Sequence, residues 1–154
     1  MPKIRERIVE YRPPRIAMFL IVVAGLIYGL FPAVRMSLWK NLWCGFAVFF
    51  TGFAFMIWAW VEFQKRHNPI CPTATPVALI RCGPFRFSRN PMYFGMLLML
   101  VSPLIAFGSP LFLFPPLMFF AVINFAFIPW EEKMLEHSFR EAFANYRCSV
   151  RRWI

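Results

Sequence analysis

The sequence predicts an all-α, polytopic membrane protein, and three observations lead to that fold class. Of the 154 residues, 60% are hydrophobic and only 16% are charged, which is more apolar surface than one soluble core of this size hides. Several stretches of 17 to 20 residues carry no charge, and a helix of that length crosses a bilayer. Basic residues flank these stretches. We therefore expect a single membrane domain, residues 1–154, with four transmembrane helices and a C-terminal amphipathic helix.

The first two predicted spans are single uncharged runs, residues 16–34 and 42–61, each bounded by charged side chains. Each run is long enough to cross the hydrocarbon core as one helix. The first run is longer than the apolar region of a typical signal peptide, and no small-residue cleavage site follows it. We therefore expect it to be a permanent anchor.

The last two predicted spans form a short helical hairpin. No charged residue occurs within residues 91–128, and the sequence Gly-Ser-Pro at 108–110 interrupts this run as a turn. The two arms, residues 91–107 and 111–128, are about 25 to 27 Å long at the helical rise per residue. This length is just sufficient to span a membrane.

The distribution of Lys and Arg predicts the orientation of the four spans. Five occur in residues 1–15, five in 62–90 and five in 130–154, whereas two occur in 35–41. The positive-inside rule then places both termini and the middle loop in the cytoplasm, which requires an even number of spans. The net charge of +10 suits anionic lipid headgroups. We expect no nucleic-acid partner, because the charges flank apolar runs instead of forming one patch.

The cysteines favour neither a disulfide framework nor a metal site. Cys44 lies within the second span, whereas Cys71, Cys82 and Cys148 lie in predicted cytoplasmic segments, where thiols stay reduced. The spacings of His67, Cys71 and Cys82 match no zinc finger or ribbon. We therefore predict no metal site.

Two polar blocks at the predicted cytoplasmic edge contain the side chains most capable of chemistry. The first block extends from Arg81 to Gly95, and the second is Trp130-Glu131-Glu132. The hairpin brings them together, since the third helix begins on the face where the fourth helix ends. No Asp, Glu, Lys, Arg or His lies within the four spans, which disfavours ion-coupled transport. We expect any reaction to take place at this edge.

The two helix ends at this edge have opposite polarity. Asn90 as an N-cap and Pro91 in the first turn predict a helix start with free N–H groups, which favour an anion. The fourth helix ends in free carbonyl groups followed by Glu131 and Glu132, and this arrangement favours a cation. Together the two ends suit a zwitterion.

Simpler roles for the same residues stay open. Arg86 and Arg89 also fit charges that only set the membrane topology. Residues 129–132 also fit the opening of another helix, with Pro early and acids in the first turn. Tyr93 and Trp130 lie at the depth where aromatic side chains anchor a protein in the membrane interface.

The C-terminal tail, residues 130–154, has the period of an amphipathic helix. Leu135, Phe139, Phe143 and Tyr146 share one stripe, and charged side chains occupy the other faces. Such a helix lies in the cytoplasmic interface as an anchor, covers the site between the two blocks as a lid, or does both.

Both blocks resemble motifs of the integral-membrane methyltransferases that include isoprenylcysteine carboxyl methyltransferase and the phospholipid N-methyltransferases. The sequence Gly-Pro-Phe-Arg at 83–86, followed by Arg-Asn-Pro-Met-Tyr-Phe-Gly at 89–95, is similar to the family's Arg-His-Pro-x-Tyr-x-Gly block. The glutamates at 131–132 stand where paired glutamates follow the family's hairpin. Asn90 replaces a frequent His. The resemblance covers about residues 77–154, and the first two helices match only as generic spans.

The resemblance implies transfer of a methyl group from S-adenosylmethionine to a lipidic or apolar acceptor, a carboxylate, amine or thiol, at the cytoplasmic membrane face. It implies a cofactor pocket between the last two spans and the tail. The residues assigned to the cofactor are Arg86, Arg89, Asn90, Pro91, Tyr93, Gly95, Trp130, Glu131, Glu132 and Tyr146. The residues assigned to catalysis are Glu131 and Glu132, as proton acceptors, and Arg152, which orients an anionic acceptor.

Two alternatives from other functional classes stay open. A non-catalytic small membrane adaptor or transporter explains the apolar helices and basic loops, but it leaves the two polar blocks without a role. A quinone-linked thiol oxidase requires a pair of cysteines on the non-cytoplasmic face, and the predicted cytoplasmic position of three cysteines disfavours it.

Overall fold

The computed structural model describes residues 13–34, 39–66 and 78–154, and within these ranges the fold is all-helical and contains no strand. This confirms the predicted all-α class. The α-helices are α1 (Pro13–Leu30), α2 (Leu42–Lys65), α3 (Pro91–Phe107), α4 (Phe114–Val122) and α5 (Ile128–Ser149). Short 3-10 turns occur at Pro32–Val34, Gly83–Arg86 and Pro110–Leu113, and a π-helical segment, Ile123–Phe127, joins α4 to α5. Residues 1–12 of the predicted cytoplasmic N-terminus, Arg35, His67 and Cys71 lie outside the described residues.

Three described helical segments are long and apolar enough to cross a membrane: Pro13–Leu30, Leu42–Lys65 and the continuous segment Pro110–Ser149. Helix α3 is also apolar, but it has 17 residues. It begins and ends where the sequence predicts, because Gly108 takes a left-handed conformation with φ 67° and stops the helix. The predicted turn between the hairpin arms is thereby confirmed.

The helix of the predicted fourth span runs on past Pro129 into the C-terminal tail and changes direction at Arg140, which has φ 41° and ψ −113°. Pro129 does not break it, although a proline ring clashes with the carbonyl group four residues earlier in a regular α-helix. The π-helical segment immediately before α5 widens the helix at this point. The part of the segment before the kink at Arg140, residues 110–139, is already longer than the roughly 20 residues that cross a bilayer. Its uncharged part ends at Ile128, so residues 110–128 are the part that suits the bilayer core.

Helices α2 and α3 are antiparallel and pack closely through small residues. A Cβ atom added to Gly52 would lie 2.6 Å from the Gly95 carbonyl oxygen, and one added to Gly45 would lie 2.5 Å from the Ala106 Cβ. Small side chains are the usual means of close helix contact in membranes, where lipid supplies no hydrophobic drive for association. The backbone N–H of Asn41 also donates to the Ile105 carbonyl, at 3.0 Å. Close packing along α2 therefore fixes the position of α3.

The main core lies between α3 and the segment from α4 to α5, and α1 covers one side of it. Buried side chains from these helices form one cluster: Tyr93, Met96, Leu100, Phe119, Ile123, Phe127 and Ile128. A second, smaller cluster of Ala59, Ile80 and Phe85 lies under the Gly83–Arg86 turn. Tyr93 belongs to the main cluster and Phe85 to the second, so both clusters support the polar edge.

Replacing Gly52 with Ala is expected to destabilise the protein, because the added methyl group meets the backbone of α3. Overpacking of this kind lowers the free energy of unfolding by about 1 to 3 kcal/mol. The control is Gly25→Ala in α1, where an added Cβ has no atom within 4 Å. Thermal denaturation of the detergent-purified variants measures the difference. Equal melting temperatures for the two variants would contradict the close α2–α3 packing.

Candidate active site

One carboxylate at the polar edge connects two arginines from distant parts of the chain. Glu132, in the first turns of α5, lies 3.0 Å from Arg89 Nη1 and 2.7 Å from Arg152 Nη2. Arg152 Nε also donates to Glu132, at 3.2 Å, so that guanidinium holds the carboxylate with two parallel hydrogen bonds. The side chains of Arg89 and Glu132 are only 11% and 16% exposed. The first predicted block, the second block and the tail therefore meet at Glu132.

Backbone contacts hold the tail against the first block. The Arg89 N–H donates to the Arg151 carbonyl at 3.0 Å. The Arg152 carbonyl accepts from the Asn90 amide nitrogen at 3.0 Å and from the Ser88 hydroxyl at 3.3 Å. Ser88 is fully buried, so its hydroxyl is removed from competing water. These contacts fix residues 151–152 beside the start of α3.

The prediction that the Asn90 side chain caps the third helix is wrong in its detail. Asn90 occupies the N-cap position and Pro91 follows it, but the Asn90 side chain makes no hydrogen bond to the helix. The Asn90 side chain donates instead to the Arg152 carbonyl of the tail, at 3.0 Å. The Asn90 N–H is satisfied instead by the Ser88 hydroxyl, at 3.1 Å. At this position the chain therefore has a residue that binds the tail.

Tyr93 and Glu131 form the second feature of the edge. Tyr93 is buried in the first turn of α3, and its hydroxyl donates to Glu131 Oε1 at 2.5 Å. Glu131 is partly buried, and within the described part of the chain its other carboxylate oxygen accepts no hydrogen bond. That oxygen is free to accept a proton or to face a cation. Glu131 and Glu132 are adjacent but differ in role, since Glu132 is fully engaged by arginines.

Arg89 retains unused hydrogen-bonding capacity. Its Nε and Nη1 atoms are buried and have no hydrogen-bond partner among the described residues. Nη1 is close enough to Glu132 for an ion pair, but its N–H is not aligned for a hydrogen bond. Burial lowers the pKa of Arg89 from its ordinary value, Glu132 raises it, and Arg152 and Arg147 lower it further. Two arginines share one carboxylate here, and a carboxylate or phosphate oxygen suits the remaining donors.

The other predicted site residues divide between the edge and the packing around it. Arg86 is exposed on the Gly83–Arg86 turn, and Trp130 is partly buried at the start of α5. Pro91 is fully buried. Gly95 lies in the contact with α2, where an added Cβ would be 2.6 Å from the Gly52 carbonyl oxygen. Tyr146 is buried and donates to the Phe85 carbonyl at 2.7 Å, which fixes the last turn of α5 to the 83–86 turn.

Sequence reasoning missed two polar contacts next to this edge. Glu62, treated as the boundary of the second span, is buried under the 83–86 turn and accepts from the Cys82 thiol at 3.3 Å. Asn124, within the fourth span, accepts from the Trp153 indole N–H at 3.2 Å. Asn124 is the one polar side chain among residues 111–128, and this isolation was a usable signal in the sequence. No sequence pattern pairs Glu62 with Cys82.

Comparison with known protein families assigns the chain to one of them. A model of the family described as phospholipid methyltransferase matches residues 40–142, more than half of the chain. The protein therefore belongs to the phospholipid methyltransferase family, which confirms the resemblance seen in its motifs. No curated protein and no solved structure matches the chain. The matched range includes α2, α3 and both polar blocks but ends before Arg152 and Trp153.

Glu132→Gln is expected to loosen the contact between the tail and α3, because it leaves two neighbouring arginines without their shared anion. Removing one partner of a largely buried ion pair lowers the free energy of unfolding by about 1 to 3 kcal/mol here. Arg152→Gln is expected to cost less, since Arg152 is 36% exposed and Glu132 keeps Arg89. Melting temperatures in detergent measure both changes.

The matched control for this measurement is Lys133→Gln, which removes one charge from the next residue, an exposed one. It is expected to leave the melting temperature unchanged. If the Glu132→Gln and Lys133→Gln proteins have the same melting temperature, the ion pairs of Glu132 with Arg89 and Arg152 do not stabilise the fold.

Proposed function

We propose that this protein transfers a methyl group from S-adenosylmethionine to a lipidic acceptor at the cytoplasmic face of a membrane. Membership of the phospholipid methyltransferase family supports a membrane methyltransferase. The observation that carries the finer proposal is that the polar edge holds both Arg89, with buried and unused N–H donors, and Glu131, with a free carboxylate oxygen beside Tyr93. A zwitterion is the ligand that such a pair suits.

The residues present fit the cofactor at its methionine end. The carboxylate of that end suits Arg89, whose buried Nε and Nη1 atoms lack hydrogen bonds among the described residues. Its ammonium group suits the free oxygen of Glu131, and aromatic rings at Tyr93 and Trp130 suit a cationic sulfur. Arg86, on the exposed face of the 83–86 turn, adds positive charge at the entrance. Asn90, Pro91, Gly95 and Tyr146 serve the site by holding α3, α5 and the tail in place.

When bound, S-adenosylmethionine supplies an electrophilic methyl group. The chain's own contribution is to align the acceptor and to exclude water from the site. The tail is placed to exclude water from the site, since it is hydrogen-bonded across the start of α3 through Asn90 and Ser88. Glu131 accepts a proton when the acceptor is an amine that must lose one. Glu132 and Arg152 hold the neighbouring Glu131 carboxylate and Arg89 in position. The exposed part of Arg152 attracts an anionic group of the acceptor.

The proposal includes a topology of four spans, with α3 as the shortest, and cytoplasmic N- and C-termini. The charge distribution supports it, since fifteen of the 17 Lys and Arg residues fall in the segments assigned to the cytoplasm. Part of α5 beyond Ile128 then lies in the cytoplasmic interface. The change of direction at Arg140, which has φ 41° and ψ −113° within α5, brings Phe143 and Tyr146 into the buried interior.

Arg89→Gln is expected to weaken binding of S-adenosylmethionine by about tenfold to one-hundredfold, because a hydrogen bond to a charged group is lost. Isothermal titration calorimetry of the detergent-purified protein measures the dissociation constant. Lys133→Gln is the charge-matched control and is expected to bind with wild-type affinity. A dissociation constant for Arg89→Gln equal to that of the wild type would remove Arg89 from the cofactor site.

Glu131→Gln is expected to lower kcat for an amine acceptor by about 10²-fold or more, the usual contribution of a general base. Tyr93→Phe is expected to have a smaller effect, because it leaves the Glu131 carboxylate in place. The assay uses S-adenosylmethionine with a labelled methyl group and total membrane lipid, followed by identification of the labelled product. Label in no lipid fraction would count against the proposed function, and full kcat for Glu131→Gln would exclude this residue as the proton acceptor.

A further inference from the structure

A single amide side chain lies within the most apolar part of the hairpin. Among residues 111–128, Asn124 is surrounded in sequence by apolar residues only. It is partly buried and not sealed inside the core. An amide in hydrocarbon is costly unless its hydrogen-bonding groups find partners. The position of Asn124 therefore requires an explanation beyond the formation of a membrane helix.

The C-terminal tail satisfies only one half of the Asn124 amide. Trp153 donates its indole N–H to Asn124 Oδ1 at 3.2 Å, and its ring packs on Phe120 with centroids 5.1 Å apart. An indole can only donate, so the amide oxygen must face Trp153 and the NH₂ group must point elsewhere. Among the described residues, no hydrogen bond from Asn124 Nδ2 is found. Two donors are thus left at membrane depth.

The backbone at Asn124 is also irregular. It is the second residue of the π-helical segment Ile123–Phe127. Such wide turns are rare, cost hydrogen-bond geometry and occur frequently at functional sites, where they redirect a side chain. Trp153, the partner of Asn124, also packs against the core cluster that contains Tyr93. Asn124 therefore belongs to the same structural unit as the polar edge.

The distance along the helix between Asn124 and Glu131 can be compared with the dimensions of a phospholipid. The two residues are seven positions apart, which corresponds to about 10 Å along the helix axis. In a glycerophospholipid, about ten covalent bonds separate the headgroup amine from the acyl ester carbonyl, roughly 10 to 12 Å when extended. The two lengths agree. Ester carbonyl oxygens are hydrogen-bond acceptors that lie just below the headgroups, whereas prenyl chains and alkyl ethers carry no carbonyl group there.

We infer that the Asn124 amide donates a hydrogen bond to an acyl ester carbonyl of the lipid acceptor, and that the Trp153 indole fixes the amide in the orientation this requires. The inference rests on the proposed function in one respect, that the lipid headgroup occupies the Glu131 edge. It makes Asn124 a specificity-determining residue that selects ester-linked glycerolipids over acceptors with ether or prenyl chains. Trp153 is a positioning residue, because it acts through Asn124.

The experiment compares two phosphatidylethanolamines of equal chain length, one with two acyl ester chains and one with two alkyl ether chains. Native mass spectrometry of the full-length protein in detergent measures how much of each lipid is retained, and the methyl-transfer assay gives KM for each. We expect the wild type to favour the ester lipid by about fivefold to tenfold, the effect of one hydrogen bond. Asn124→Leu, which is close in size and has no donor, is expected to retain both lipids equally.

Trp153→Phe tests the positioning role, because it keeps a ring beside Phe120 but removes the indole N–H. It is expected to reduce the preference for the ester lipid partly, whereas a purely structural role of the Asn124–Trp153 contact predicts that both variants retain the wild-type preference. Equal retention of both lipids by the wild type overturns the inference without need of any variant. So does an Asn124→Leu protein that still favours the ester lipid.

The two proposals fail in different ways. If neither lipid is methylated but the wild type still retains the ester lipid selectively, the proposed function fails and the lipid site at Asn124 stands. If both lipids are methylated with equal KM and retained equally, the methyltransferase stands and the carbonyl site at Asn124 is refuted.

Discussion

The ion pair that joins Glu132 to Arg89 and Arg152 is the interaction on which the polar edge depends. It connects the segment before α3, the start of α5 and the C-terminal tail, three pieces that are far apart in sequence. Placing charges in a partly buried site is costly unless every partner is present, so the contact favours one arrangement of the three pieces over looser ones. Because two guanidinium groups share one carboxylate, the cluster keeps a net positive charge. The interaction that closes the fold also leaves the site attractive to an anion.

The apolar helices determine where this ion pair can form. Gly52 and Gly95 let α2 and α3 approach closely. This contact helps to fix the position of the Gly83–Arg86 turn, which lies between the two helices in the sequence. That turn is fixed in addition by Gly83, whose φ of 59° and close approach to Glu62 leave little room for a larger residue. Arg89 follows six residues later. The packing of α2 against α3 therefore determines where the Arg89 side chain lies at the polar edge.

The C-terminal tail also contacts the site at two places. Its carbonyl at Arg152 accepts from Asn90 and Ser88 at the edge, and the next residue, Trp153, reaches Asn124 within the fourth apolar segment. Arg152 and Trp153 therefore connect the polar edge to the interior of the hairpin. The family match ends at residue 142, so this connection is made by a part of the chain beyond the matched region.

The sequence by itself determined the helical class, the bounds of α3, the turn after it and the family, because charge-free runs, Gly108 and short motifs are local signals that need no tertiary contact. It also indicated that residues 81–95 and 130–132 meet, since a hairpin leaves little choice. Only the tertiary structure decided which partners the side chains take. Asn90 binds the tail instead of capping α3, Glu132 is shared by two arginines while Glu131 is not, and Asn124 faces Trp153. These choices depend on distances between segments tens of residues apart, and a hydrogen bond forms only where folding has brought donor and acceptor within about 3 Å.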